Sequence, residues 1–348
     1  MQRERAWSPP AVRVFRWGMA AVMVLAMAGP SAAQGPARAP EGLSVPSMTF
    51  ARRLAARLEP APPLELRAEE LAAASAILVD AESGEILYAQ AARQRRASAS
   101  LTKVMTAVVV LERARLAEQV VVSRRAPEAG GHAVGLRPGQ RLSVRDLLAA
   151  LMIRSANDAA VALAEHVGRS VPAFAALMNA KARALGMTDT HFENPHGLDA
   201  PDHYSTAYDL AILTRYAFQS PIFAELVRTR QTVITVKAPG IGKRQGRPVV
   251  RQRVLRSHNR LLEAFEGADG VKTGFTGEAG RCLVASARRG DRRLIAVLLN
   301  DPRRWDDAAL LLEYGFSVLG GPAAGRASEP GGLAPPRRFA PDEPQVGG

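Results

Sequence analysis

Strand-forming runs stand at both ends of the part of this chain that can build a core, and helix-forming runs fill the middle. Ala76-Ile77-Leu78-Val79-Asp80 and Glu85-Ile86-Leu87-Tyr88-Ala89 flank Ala81-Glu82-Ser83-Gly84, a hairpin signal. Two more strand candidates come late, Cys282 to Ala287 and Arg293 to Leu299, and another begins at Gly270-Val271-Lys272-Thr273-Gly274-Phe275. Between them the apolar spacing takes a helical period over Ser100 to Leu116, Val144 to Ile153, Asp158 to Val167, Ala173 to Leu185 and Ser205 to Phe218. Thr206 and Asp209 have the spacing of a capping box, and a last helix is expected from Trp305 to Tyr314. Strands that must meet across so long a helical stretch restrict the fold to one sheet with a helical subdomain inserted. The class is α+β, an antiparallel sheet flanked by helices.

The core-forming stretch runs from 71 to 319. Residues 34–70 are rich in Pro, Ala and Arg and read as a linker. Residues 320–348 carry Gly and Pro without a period, so a disordered tail is expected, and no membrane-anchoring helix fits there. At the other end, Arg3, Arg5, Arg13 and Arg16 precede the apolar run Trp17 to Ala28, which closes in Gly29-Pro30-Ser31-Ala32-Ala33. This reads as a signal peptide over residues 1–33, with an uncleaved N-terminal anchor as the competing reading. The chain is expected to be exported, to the periplasm or the secreted space.

Export gives the single cysteine its meaning. Cys282 can form no internal disulfide, so the fold must stand on its core, for which a hydrophobic content of 47% is ample. Within its strand-like run Cys282 reads as a small buried hydrophobe. Of the formal charge of +13, the leader's four arginines and one glutamate account for +3, leaving +10. The arginines are scattered, aromatics are only 5%, and export argues against nucleic acid. Such a surface suits weak association with anionic envelope material, or reflects an arginine-favouring coding bias.

Ser100-Leu101-Thr102-Lys103 places a hydroxyl and an amine three residues apart at the start of a helix, where both lie on one face. A desolvated, neutral lysine can accept the proton that a serine must lose to become a nucleophile. Alone, the same residues also describe an N-cap serine and a solvated lysine. Ser155-Ala156-Asn157, at a break between two helical segments, is alone a good helix N-cap. Lys272-Thr273-Gly274 is alone a common turn tripeptide. In this order, Ser-x-x-Lys, Ser-x-Asn and Lys-Thr-Gly form the established signature of penicillin-interacting serine enzymes.

The chain resembles the low-molecular-weight penicillin-binding proteins that act as serine-type D-alanyl-D-alanine carboxypeptidases, over nearly the whole stretch 75–318. Ala99 to Ala107 looks like the family's first box, and Asn157-Asp158-Ala159-Ala160 continues the second. Asn194-Pro195-His196-Gly197-Leu198 with Ser205-Thr206-Ala207 resembles the connecting segment, and Asp269 to Thr276 the third box. Leu311 to Phe316 also fits. Ser98 stands where a proline is common and Ala156 where a glycine is usual, both small changes.

The resemblance implies a penicillin-binding protein fold, peptidoglycan stem peptides as substrates and β-lactams as covalent inhibitors. It implies Ser100 as nucleophile, Lys103 as base and Ser155 as a proton relay to the leaving amine. Asn157 would hold the Lys103 amine and the substrate amide. Lys272 and Thr273 would bind the terminal carboxylate, Gly274 would let the substrate backbone approach, and the N–H groups of Ser100 and Phe275 would form the oxyanion hole. No metal or cofactor is implied: His191, His196 and His203 match no helical pair of ligands and read as solvated or capping. An endopeptidase cutting D-alanyl cross-links would use the same residues. A class A β-lactamase would need a deacylating glutamate, for which only Glu193 offers itself. A decayed, non-catalytic wall-binding protein is opposed by three intact motifs.

Overall fold

The computed structural model describes residues 71–239, 249–320 and 339. The chain opens with β1 (Ser75–Asp80) and β2 (Ile86–Gln90), then a 3-10 turn, Ala99–Thr102, runs directly into α1 (Lys103–Arg113). The middle contains β3 (Gln119–Val121), β4 (Arg141–Ser143), α2 (Val144–Ile153), α3 (Asn157–Gly168), α4 (Val171–Ala184), α5 (Ala207–Ala217) and α6 (Pro221–Arg228). After these come β5 (Gln231–Ala238), β6 (Val249–Arg256) and the short α7 (Leu261–Ala264). The chain returns through β7 (Ala268–Thr276), β8 (Gly280–Arg289) and β9 (Arg292–Leu299), and closes with α8 (Arg304–Val318).

The two ends do meet. β1 lies antiparallel between β2 and β9, with Ile77 opposite Val297, and the five strands run β2-β1-β9-β8-β7. Strand residues alternate between two buried faces. Ile77, Val79, Val284, Ile295 and Val297 join the larger core under the inserted helices. Ala76, Leu78, Leu283, Ala296 and Leu298 join a second core against Trp305, Leu311, Leu312 and Phe316 of α8. Burial on both faces is why these strands read as unbroken apolar runs rather than as alternation. α1 is buried on every side from Lys103 to Leu111, so the helix carrying the first motif passes through the middle of the larger core.

The insert is not purely helical. It contains a second, four-stranded sheet, β3-β4-β5-β6, where only helices are expected. β3 and β4 are three residues each, and Val233, Val250 and Val254 of the β5–β6 ribbon are exposed among arginines, so hydrophobic periodicity gives little sign of them. α6 likewise forms in a stretch outside the expected helices. α1 ends at Arg113 rather than Leu116, and Ser100 lies on the 3-10 turn before it. The capping box is half formed: Thr206 Oγ1 accepts the Asp209 N–H at 3.0 Å, while the Asp209 carboxylate accepts Thr190 Oγ1 at 2.7 Å and the Asp189 N–H at 3.0 Å.

Among the described residues no helix is long and apolar enough to cross a membrane. The expected leader and linker lie outside the described residues, as does the tail apart from Gly320 and Phe339. Phe339 donates its N–H to Asp306 Oδ1 at 2.9 Å, with its ring 6.4 Å from that of Trp305.

Candidate active site

Ser100 sits on a tight turn because Ala99 adopts a left-handed φ of 46° and the Leu101 N–H closes onto the Ser98 carbonyl at 3.1 Å. The first turn of α1 then brings Lys103 under it. Lys103 Nζ donates to Ser100 Oγ at 2.7 Å and to the His196 carbonyl at 2.8 Å. Lys103 is 0% exposed. Burial penalises its charged form and holds its pKa well below the ordinary value, and the nearby charge of Lys272 adds to the effect. With the amine neutral, the same short contact can run from the Ser100 O–H to the lone pair on Nζ.

Ser155 occupies the break between α2 and α3 at a left-handed φ of 60°. Its hydroxyl is buried and has no hydrogen-bond partner among the described residues, an arrangement that costs about 1–3 kcal/mol unless a ligand completes it. Ala156, at φ −69°, needs no glycine. Asn157 donates through Nδ2 to the Gly130 carbonyl at 2.8 Å, and its N–H donates to the His132 carbonyl at 2.6 Å. The Asn157 amide therefore anchors loop 130–136 and does not hold Lys103, whose second partner is His196. Asp158 accepts the N–H groups of Val134 at 3.2 Å and Leu136 at 2.9 Å. Arg253 of β6 donates to the Val134 carbonyl and, at 3.1 Å, to that of Gly135.

Lys272-Thr273-Gly274 lies within β7, the edge strand of the main sheet, rather than at its start. Lys272 is buried, donates to the Thr273 carbonyl at 2.7 Å, and is pushed down to about 7 by burial and by the Arg304 guanidinium. Arg304 braces the strand from behind, donating to the Gly274 carbonyl at 2.8 Å. A β-carbon on Gly274 would lie 3.0 Å from Ala99 Cβ and 3.2 Å from the Ser100 nitrogen. Only glycine lets the strand press this closely on the serine's turn. Phe275 is partly exposed beyond it, and Thr276 Oγ1 ties the strand to Asp199 at 2.6 Å.

A buried serine–lysine pair packs against a lysine-bearing edge strand, a second serine hydroxyl is buried without a partner at the end of α2, and residues 62–303 match the D-alanyl-D-alanine carboxypeptidase family, peptidase S11. The chain belongs to that family. Carboxypeptidase DacF of Bacillus subtilis is 35% identical over 72% of this chain and 64% of its own. DacC of Escherichia coli is 38% identical over 69% and 60%, so the match spans less than two thirds of either relative. The crystal structure of the Streptomyces K15 DD-transpeptidase superposes with a TM-score of 0.67, at 31% identity over 74% of this chain and 99% of that one. DacD of Francisella tularensis gives 0.65, at 31% identity over 74% and 72%. The α+β fold expected from the strand pattern is that of these DD-peptidases.

Several residues around this S11 site take roles that their residue type does not announce. His196 contributes a main-chain carbonyl to Lys103, a role that leaves no mark on residue type. His203 is not solvated: it is buried, held down at about 4 mainly by that burial, and its Nε2 lies 2.8 Å from Thr102 Oγ1. Thr102 also reaches Ser98 Oγ at 3.1 Å, so His203 pins the turn beneath Ser100. Thr106 Oγ1 donates to the Pro195 carbonyl at 2.6 Å, fixing the segment that presents His196. Cys282 is buried, with its thiol pushed up to about 11 by burial, as suits a core residue.

Proposed function

We propose that this chain is a serine-type D-Ala-D-Ala carboxypeptidase that removes the terminal D-alanine from peptidoglycan stem pentapeptides and is acylated by β-lactams. The observation that carries the reading is the fully buried Lys103, its pKa lowered, with Nζ 2.7 Å from Ser100 Oγ. In this reading 71–319 is the catalytic domain, and a leader over 1–33 delivers it to the periplasm or the secreted space, where its substrate lies.

Ser100 Oγ attacks the carbonyl carbon of the penultimate D-alanine as its proton passes to neutral Lys103. The negative oxygen of the tetrahedral intermediate is held by the N–H groups of Ser100 and Phe275. As the C–N bond breaks, Ser155 relays a proton to the departing D-alanine amine. Water then cleaves the acyl ester through the same base. Lys272 and Thr273 take the terminal carboxylate, Asn157 holds the substrate amide, and the unpaired edge of β7 at Gly274 and Phe275 receives the substrate backbone.

Mass spectrometry of muropeptides incubated with the mature protein tests this. Loss of one D-alanine from pentapeptides is expected; conversion of cross-linked dimers to monomers would identify an endopeptidase instead. Ser100→Ala should lose both D-alanine release and penicillin labelling, because both pass through one ester. Labelling that persisted in that variant would remove Ser100 from its role.

A further inference from the structure

Beyond Lys272 the site is bordered by the guanidinium of Arg154 and the imidazoles of His258 and His132. Arg154, exposed, immediately precedes Ser155 at the end of α2. Its Nη1 meets His258 Nε2, the His258 ring lies 5.5 Å from that of His132, and the His132 carbonyl receives the Asn157 N–H at 2.6 Å. A chain of contacts thus runs from Arg154 to the residue that closes the second motif. Burial first, and then the charges of Arg154, Lys272, His132 and Arg304, hold His258 at about 4. It is therefore neutral near pH 7 and can accept a guanidinium hydrogen while adding no charge. The neighbouring groups that most disfavour a proton on Lys103, Lys272, His132 and His258, after burial, are lysines, arginines and a histidine. Among the described residues Arg154 forms no ion pair with a carboxylate.

A wall of this kind fits an anion arriving with the substrate. Lys272, buried and at about 7, is only partly charged near neutrality, whereas a guanidinium is always charged and matches both carboxylate oxygens. We propose that Arg154, oriented by His258 and His132, is a specificity residue that binds the leaving D-alanine's carboxylate beside Lys272 and makes a free carboxylate a requirement. The inference rests on the carboxypeptidase reading for its natural substrate. It extends the same recognition to the carboxylate of a β-lactam.

Acylation separates the two claims. Second-order acylation of the full chain is measured with a penicillin and with its methyl ester, and D-alanine release with acyl-D-Ala-D-Ala and acyl-D-Ala-D-alaninamide. Arg154→Gln should lower the preference for the free acid about 10-fold to 100-fold in the penicillin pair. His258→Phe, which leaves Arg154 in place but removes its acceptor, should lower it by a smaller factor, and added salt should erode the wild-type preference. A purely structural role for Arg154 would slow acid and ester equally; that outcome, or an unchanged acid-to-ester ratio in both variants, overturns the proposal. If Arg154→Gln does not fold, Arg154→Lys and His258→Phe decide by the same ratio. Normal penicillin ratios with no D-alanine released by wild type would overturn the carboxypeptidase reading while leaving the role of Arg154 intact.

Discussion

Gly197 stacks its α-carbon against the Ala99 carbonyl, at a φ of +88°, so closely that a β-carbon there would overlap that oxygen. The contact joins the segment that presents the His196 carbonyl to Lys103 with the turn that presents Ser100. Gly197→Ala should cost about 1–3 kcal/mol from backbone strain alone, and the overlap must also push the Ser100 turn away from Lys103. Chemical denaturation should show the loss of stability. Penicillin acylation should fall further than stability accounts for, and an alanine variant acylating at the wild-type rate would contradict this coupling.

Lys272 should leave a signature in stability as well as in activity. Its folded-state pKa, about 7, is below that of the unfolded chain, because burial and Arg304 disfavour its charge. Between pH 7 and the ordinary lysine value the unfolded chain therefore binds more protons, and stability rises with pH. The contribution is fully present above the unfolded value and is lost as pH falls towards 7. Each pH unit in this window adds roughly 1 kcal/mol for such a group. Urea denaturation at pH 7, 8 and 9 should show this slope in wild type and a shallower one in Lys272→Met, with the variant inactive. Equal slopes in the two proteins would mean that Lys272 is charged throughout.

The parts of this fold that were legible in the sequence share a physical cause. β1, β8 and β9 are buried on both faces, so Ile77-Leu78-Val79 and Leu294 to Leu299 appear as continuous apolar runs. Ser100, Lys103, Ser155 and Lys272 were legible because side-chain chemistry fixes residue type and local spacing. β5 and β6 were not, because alternate positions such as Val233, Gln252 and Val254 face outward and carry no common polarity. The bracing of Gly274 by Arg304, and the wall of Arg154, His258 and His132, depend on residues far apart in sequence. Their registry is set only by the packed sheet and loop. His196 acts through its backbone, which residue type does not encode.

Loop 130–136 should depend on Asp158, which is buried and accepts the N–H groups of Val134 and Leu136. Asp158→Ala leaves those donors unpaired at about 1–3 kcal/mol each, while Arg253 keeps hold of the opposite carbonyls. Hydrogen exchange should rise over 130–136 with little change in β8 and β9. KM for a D-Ala-D-Ala peptide should rise more than kcat falls, because Lys103 and Ser100 are held by other residues. Exchange increasing equally across the main sheet would indicate global destabilisation instead.

Gly274→Ala tests how closely β7 must approach the nucleophile. The new methyl group would lie 3.0 Å from Ala99 Cβ and 3.2 Å from the Ser100 nitrogen, tighter than relaxed contact on both sides. Arg304 holds the strand in place through the Gly274 carbonyl, so the strain should be relieved at the turn, moving the Ser100 N–H off the developing oxyanion. Displacing one such donor should slow acylation on the order of 10-fold to 100-fold. The five-stranded sheet keeps its ladder, so the thermal midpoint should move little. Stopped-flow acylation with a chromogenic β-lactam measures the first quantity and calorimetry the second. An unchanged acylation rate would show that the Ser100 N–H does not serve the oxyanion.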